Sequence, residues 1–299
     1  MPLSASARIP ASTANLGPGF DCLGLALNLY NTVTLSVAAV TEVTVTGEGA
    51  GRLPEARNNL VLRAAARLAE AAGVQVPGWR LEQHNEIPLA RGLGSSSAAI
   101  VGGLLACDRL LQLETPAEEL LELATALEGH PDNVAPALFG GLTVCAQDGE
   151  RTHCLRLPEP VDLHVAVVIP DFEVSTEEAR EALPSIYEKE AAVYNVTHAC
   201  LTLAALARGR YDLLGAAMQD LLHQPYRLPL VPGMAEVIEA AREAGAAGAA
   251  LSGSGPTVAA FCEEKYDSVT EAMQAAFLRH GIRARTLWLK PSAGGVDLV

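Results

Sequence analysis

The stretch Ile87-Pro88-Leu89-Ala90-Arg91-Gly92-Leu93-Gly94-Ser95-Ser96-Ser97-Ala98 decides how the rest of the chain is read. Gly92 and Gly94 admit backbone angles and close approaches that a Cβ forbids. Ser95, Ser96 and Ser97 supply hydroxyls, and Pro88 stiffens the entry. Small residues follow, Ala98-Ala99-Ile100-Val101-Gly102-Gly103, and their pattern predicts a helix from about Ala98 to Leu113. The unpaired N–H groups at the head of that helix, with its positive dipole end, face whatever the loop holds. Together these features form an anion nest suited to a polyphosphate. A glycine–serine turn with a serine cap makes the same pattern without any ligand. The lysine of a Walker loop is missing, as are a G-x-G-x-x-G fingerprint and the G-x-S-x-G of a hydrolase elbow.

Outward from the loop, composition sets bounds. A chain of 299 residues predicts two domains sharing a cleft. Asp plus Glu number 35 against 21 Lys plus Arg, a formal charge of −14. That balance excludes nucleic acid and anionic membrane as partners, since both are bound through Lys and Arg. It also requires that affinity for a polyanion come from backbone amides, a helix end and a metal ion. The six cysteines (Cys22, Cys107, Cys145, Cys154, Cys200, Cys262) are scattered, with none at C-x-x-C spacing, and fit buried thiols in a reducing compartment. No signal-peptide core and no long uncharged apolar run stands out, so a cytoplasmic location is expected.

Strands are expected at Thr32–Val40, Val43–Thr46, Trp79–His84, Leu142–Cys145, Leu163–Ile169 and Ile282–Leu289, and two short ones around the Ser252–Pro256 turn. Helices are expected at Leu60–Ala72, from Pro116 to Glu128, and at Glu177–Ala182, Lys189–Arg208, Tyr211–His223, Met234–Ala244 and Asp267–Arg279. Turn formers at Gln147–Thr152 and Pro158–Pro160 predict a boundary near 155, giving units 1–155 and 156–299. Both units mix strands and helices in an α+β manner.

The pattern Ile-Pro-x-x-x-Gly-Leu-Gly-Ser-Ser-Ser-Ala at 87–98 resembles the ATP-binding motif of the GHMP kinases, a superfamily that includes galactokinase, homoserine kinase and mevalonate kinase. Two further stretches stand where that family has its other motifs: Pro10-Ala-Ser-Thr-Ala-Asn-Leu-Gly-Pro-Gly-Phe-Asp21 and Leu251-Ser-Gly-Ser-Gly-Pro-Thr257. The N-terminal form is similar to that of the homoserine-kinase branch. So are Glu128-Gly-His130-Pro-Asp132-Asn133, Ser175-Thr176-x-x-x-Arg180 and His223-Gln-Pro-Tyr-Arg227. The resemblance implies an N-terminal ribosomal-protein-S5-domain-2-like domain and a C-terminal ferredoxin-like α/β sandwich. It also implies phosphorylation of the L-homoserine hydroxyl by ATP with Mg²⁺, in threonine biosynthesis, and a possible homodimer.

Site roles follow from the same resemblance. Pro88 through Ala98, with Asn59, would bind ATP, and Ser96 and Glu128 would hold the metal. Glu122, six positions earlier on the helix, would point elsewhere. Arg180 and Arg227 would take the substrate carboxylate, which suits a planar guanidinium. Asp21 and Asn15 would take the ammonium, and His130 would stand near the hydroxyl. Asp132, Asn133 and Thr176 are the catalytic candidates; Asp132 is either a general base or a substrate ligand. Each has a duller role: Asn15 and Asp21 flank a Gly-Pro-Gly turn that Asx side chains cap, and Arg180 could be a solvated helix residue. A kinase for a different alcohol would lack the Asn15/Asp21 pair and both arginines; a silent nucleotide binder would have lost Glu128, Ser96 or Asp132.

Overall fold

A computed structural model describes residues 3–53 and 58–298. Two sheets organise it. The first carries β1 (Ala5–Ala14), β2 (Leu23–Val37), β3 (Glu42–Gly47), β4 (Trp79–Asn85), β5 (Leu142–Asp148) and β6 (Arg151–Leu157). The second carries β7 (His164–Pro170), β8 (Gly248–Leu251), β9 (Val258–Cys262) and β10 (Ala284–Leu289), in the antiparallel order β10-β7-β9-β8. A final strand, β11 (Asp297–Leu298), returns to pair with β1 in the first sheet.

β2 is the spine of the first sheet. Its later half pairs with β4 and its first residues with β5, while β1 lies antiparallel along its length. The helices α1 (Leu60–Ala71), α2 (Ser95–Leu111), α3 (Ala117–Glu128) and α4 (Pro131–Phe139) cover this sheet. α2 is buried along almost its whole length, as an Ala/Gly/Val/Leu sequence with few polar residues requires. Gly102 and Gly103 let it seat closely: a Cβ on Gly103 would stand 2.3 Å from the Val61 carbonyl oxygen of α1. Against the second sheet lie α9 (Met234–Glu243) and α10 (Asp267–Arg279), enclosing Val168, Val237, Val258, Met273 and Phe277. The chain between β7 and β8 also forms α5 (Thr176–Glu181), α6 (Lys189–Arg208), α7 (Leu214–Ala217) and α8 (Gln224–Arg227). No described helix is long and apolar enough to cross a membrane.

Several expectations need correction. The first long strand begins at Leu23, not Thr32, and β1 precedes it where no strand is expected; the small residues of ASARIPASTA mask a strand that is nonetheless buried on both faces from Ile9 onward. Residue 155 lies inside β6, because the turn expected over Gln147–Thr152 is only Gly149-Glu150, with Asp148 paired to Arg151. Helix α2 starts at Ser95, three residues before the expected Ala98. The helix expected over Tyr211–His223 is a 3-10 turn followed by α7, and it stops at Ala217. Its end is captured from outside: Thr202 Oγ1 donates to the Ala217 carbonyl, and the buried Asp220 carboxylate accepts from the backbone N–H of Leu222, His223 and Gln224.

Candidate active site

The loop before α2 is built from left-handed backbone at Ala90, Gly92 and Gly94. At Gly92 the need is steric: a Cβ would sit 2.1 Å from the Ser252 carbonyl oxygen. Ser252 Oγ also donates to the Gly92 carbonyl at 2.6 Å, so the loops of the first and third motifs are clasped together. Gly94 is the N-cap of α2 and has no side chain to satisfy the first turn. Backbone bonding begins only with Ala98 N–H to the Gly94 carbonyl, 2.9 Å. The N–H groups of Ser95 and Ser96, which line the cleft, are therefore left for a ligand, at a dipole end that favours negative charge.

Beside them stands a cleft of about 460 Å³, within the size range of small-molecule sites. Its wall includes Leu89, Ala90, Arg91, Gly92, Gly94, Ser95 and Ser96 from the loop, and Asn59. Asn15, Asp21, Glu128, His130, Asp132, Asn133, Thr176, Arg180 and Arg227 line the same cleft. Four expected ATP-loop residues do not reach it. Leu93 and Ala98 are fully buried in the core, Ser97 is buried behind Ser96, and Pro88 lines a separate cavity. Arg91 lines the cleft, but its guanidinium donates to the carbonyls of Pro170, Leu89 and Asp171 and lies 3.3 Å from Glu173, tying the loop to the end of β7. Asn59 caps α1 by accepting from Val61 N–H, and its amide joins Gln83.

Glu128, the last residue of α3, accepts from Ser96 Oγ at 2.5 Å and from Ser97 Oγ at 2.8 Å through one oxygen. Glu122 does not line the cleft. A carboxylate and a cleft-facing hydroxyl at the head of a phosphate nest form a hard oxygen donor set, which fits Mg²⁺.

At the other end the charges are paired. Arg180 forms a fork with Asp21, Nη2 to Oδ1 at 2.7 Å and Nη1 to Oδ2 at 3.0 Å. Burial works against the Arg180 cation, but Asp21 outweighs it and holds its pKa above the ordinary value. Arg227 is buried; its Nε donates to the Ala179 carbonyl, and its Nη1 to the Gly253 carbonyl and to His223 Nδ1. Nη2 has no protein partner among the described residues. Burial, with Arg180 nearby, pushes the Arg227 pKa down to about 10. His130 Nδ1 and Asp132 Oδ1 lie 2.5 Å apart. Burial lowers the His130 pKa, yet the Asp132 hydrogen bond and charge, with Glu128, raise it above the ordinary value overall. Asn133 Nδ2 donates to Ser12 Oγ at 2.8 Å, which leaves its Oδ1 free of protein partners among the described residues.

Asn15 adopts the turn role: its Oδ1 accepts from Asp21 N–H and its Nδ2 donates to the Gly253 carbonyl. It positions Asp21 while lining the cleft. Residues passed over in the sequence complete the site. Phe20 lies beneath both arginines, with guanidinium carbons 5.6 Å (Arg180) and 5.4 Å (Arg227) from its ring centre. Its place between Gly19 and Asp21 in the quoted motif was the available signal. Asn195, Asp220 and His223 form a buried support behind Arg227, with Asn195 Nδ2 donating to Asp220 Oδ1 and His223 Nε2 to the Gly17 carbonyl. Asp21, His130 and Asp132 offer atoms all within 4.8 Å of one another. That group already has internal partners, Arg180 for Asp21 and His130 for Asp132, and suits an ammonium better than a metal.

A phosphate nest at the head of a small-residue helix, between an S5-like unit and a ferredoxin-like sandwich, is the architecture of one class of small-molecule kinases. A family model for the GHMP kinases N terminal domain matches residues 59–141, and one for the GHMP kinases C terminal domain matches residues 202–279. The chain belongs to the GHMP kinase family, and within it to the homoserine kinases. It is 49% identical over 292 residues to a homoserine kinase from Moorella thermoacetica, covering 98% of this chain and 99% of that one. A homoserine kinase from Carboxydothermus hydrogenoformans is 45% identical over 293 residues, covering 97% and 96%. The crystal structure of homoserine kinase from Cytophaga hutchinsonii superposes with a TM-score of 0.89 at 32% identity, covering 100% of this chain and 98% of that one.

Proposed function

We propose that the chain transfers the γ-phosphoryl group of ATP to the side-chain hydroxyl of L-homoserine, giving O-phospho-L-homoserine and ADP for threonine biosynthesis. The observation that carries this reading is that one cleft joins an uncapped helix head to a pair of arginines and an aspartate. The first accepts a polyphosphate; the second is the complement of an amino-acid zwitterion.

In this reading the N–H groups of Ser95 and Ser96 hold the β- and γ-phosphates. Arg227 Nη2 and Arg180 receive the substrate carboxylate, and Asp21, released in part from Arg180, receives the ammonium. Asn133 Oδ1 and His130 border the hydroxyl, and Thr176 lines the same cleft. The hydroxyl oxygen bonds to the γ-phosphorus, the bond to the β,γ-bridging oxygen breaks, and the hydroxyl proton leaves. Asp132 either takes that proton or holds the substrate in place; both roles require its carboxylate. Mg²⁺, held by Ser96 and Glu128, would neutralise the charge on the phosphate oxygens. Phosphoryl transfer through a loose transition state asks little more of a protein than this positioning and charge compensation. In this reading the two units divide after Leu157, where β6 ends, with the C-terminal strand β11 pairing back to β1.

The test is a phosphoryl-transfer assay with Mg-ATP against homoserine, mevalonate and galactose. Transfer to homoserine alone is expected. Transfer to either of the others in its place, or to none of the three, would overturn the reading.

A further inference from the structure

Three cysteines that the reaction does not use stand in a row across the first sheet. Cys145 of β5 is paired in register with Cys154 of β6. On its other side β5 meets β2, where Leu23 is opposite Val144, and the next position along that register sets Cys22 opposite Cys145. Cys145 N–H donates to the Cys22 carbonyl at 2.9 Å. In an antiparallel strand the N–H and C=O of a residue point to the same side, so Cys145 turns its backbone groups toward β2 and away from β6. The hairpin gives the same answer independently. Asp148 and Arg151 close a two-residue loop as a hydrogen-bonded pair, and alternation from there makes 147/152 open, 146/153 bonded and 145/154 open. Open pairs hold their Cα atoms about 4.5 Å apart, with side chains on one face. That spacing lies inside the range a disulfide spans, roughly 4.4–6.8 Å.

We propose that Cys145 and Cys154 form a dithiol site that small-molecule disulfides oxidise, reversibly, to a cross-strand disulfide. Cys154 is half-buried and Cys145 is buried, so the oxidant meets Cys154 first. The neighbouring Cys145 thiol holds the Cys154 pKa below the ordinary thiol value, which favours its thiolate. The Cys154 thiolate attacks one sulfur of the oxidant and expels the other as a thiolate. Cys145, losing its proton, then attacks Cys154 Sγ and expels the second oxidant thiol. Two protein thiols become one disulfide while one oxidant disulfide becomes two thiols, so electrons and protons balance. Cys22, although opposite Cys145, is joined to it through the backbone-bonded kind of pair and is the less suitable partner.

The experiment incubates the full chain with oxidised glutathione and counts thiols after denaturation. In Cys200→Ser, which removes the exposed thiol that would itself take up glutathione, the count is expected to fall from five to three, with a digest joining the Cys145 and Cys154 peptides and dithiothreitol restoring all of them. In Cys145→Ser, glutathione should remain on Cys154 as a stable mixed disulfide, a readout that does not depend on kinase activity. A count that stays at the starting value overturns the proposal. So does a Cys22–Cys145 link, a lasting glutathione adduct on wild-type Cys154, or an unmodified Cys154 in the Cys145→Ser variant.

Discussion

Replacing Arg227 by Met separates two roles that the structure superimposes on one side chain. Its cation is uncomfortable where it is buried: a pKa pushed down to about 10 corresponds to roughly 3 kcal/mol of unfavourable environment. Removing the charge releases that cost, but it orphans the Ala179 and Gly253 carbonyls and His223 Nδ1. Each orphaned buried acceptor costs about 1–3 kcal/mol, so the two effects largely offset and unfolding free energy should fall by only a few kcal/mol. Homoserine has no such compensation. Truncating one partner of a desolvated charge pair costs about 2–5 kcal/mol, and with Arg180 still in place kcat/KM for homoserine should drop roughly 10²–10³-fold. The KM for ATP should stay within about threefold, because Arg227 touches nothing at the head of α2. Arg227→Lys keeps the charge but offers no planar fork, and should recover only part of the loss. Steady-state kinetics on both substrates, with urea unfolding to confirm the fold, make the measurement. A folded Arg227→Met variant with kcat/KM within fivefold of wild type, or with both KM values rising together, would refute the reasoning.

Other substitutions probe the remaining parts. Glu128→Gln keeps an oxygen for Ser96 and Ser97 to donate to but removes the charge; kcat should fall roughly 10²-fold or more, with a higher Mg²⁺ requirement in a metal titration and an unchanged melting curve. Asp132→Asn should lower kcat by about 10²–10⁴-fold if its carboxylate takes the hydroxyl proton, whereas a rise confined to the KM for homoserine would leave it as a substrate ligand. His130 has a raised folded pKa, so its contribution to stability is full below its unfolded value near 6.5 and is lost as pH rises through the folded value. Urea unfolding of wild type and His130→Gln should therefore differ most below about pH 6.5 and converge at alkaline pH. Gly92→Ala forces a Cβ to 2.1 Å from the Ser252 carbonyl at a φ of +76°; it should lower the melting temperature and impair ATP binding. Gly51→Ala, with a similar φ and nothing within 4 Å, should do neither beyond a small stability loss.

How far the sequence could be read follows from which forces write local patterns. The cleft was legible because phosphate binding needs a particular backbone, and glycine and serine announce that backbone in order. Helices with an apolar stripe, such as α1 and α3, were legible by period. β1 was not, because Ala, Ser and Thr on both faces erase the alternation that marks a half-buried strand. α4 has helix signals in Pro131 at its first position and Gly140 at its end, but Pro136 inside it reads as a helix breaker. The long helix expected after Tyr211 fails for a reason no local pattern contains. Asp220 can stop it only because Asn195, on a helix twenty-odd residues earlier, and three backbone N–H groups converge on its carboxylate. The same convergence fixes His223, which accepts from Arg227 through Nδ1 while its Nε2 holds the Gly17 carbonyl of the Asn15–Asp21 turn. The residues that aim the two substrate-facing loops at each other are thus far apart in the chain and unremarkable in type. Burial also keeps His223 below its ordinary pKa, so it stays the neutral acceptor Arg227 requires; a protonated ring would present two donors and set a second cation against the guanidinium. The support behind Arg227 works only as neutral imidazole, a condition set first by tertiary burial and then by the charge of Arg227 itself.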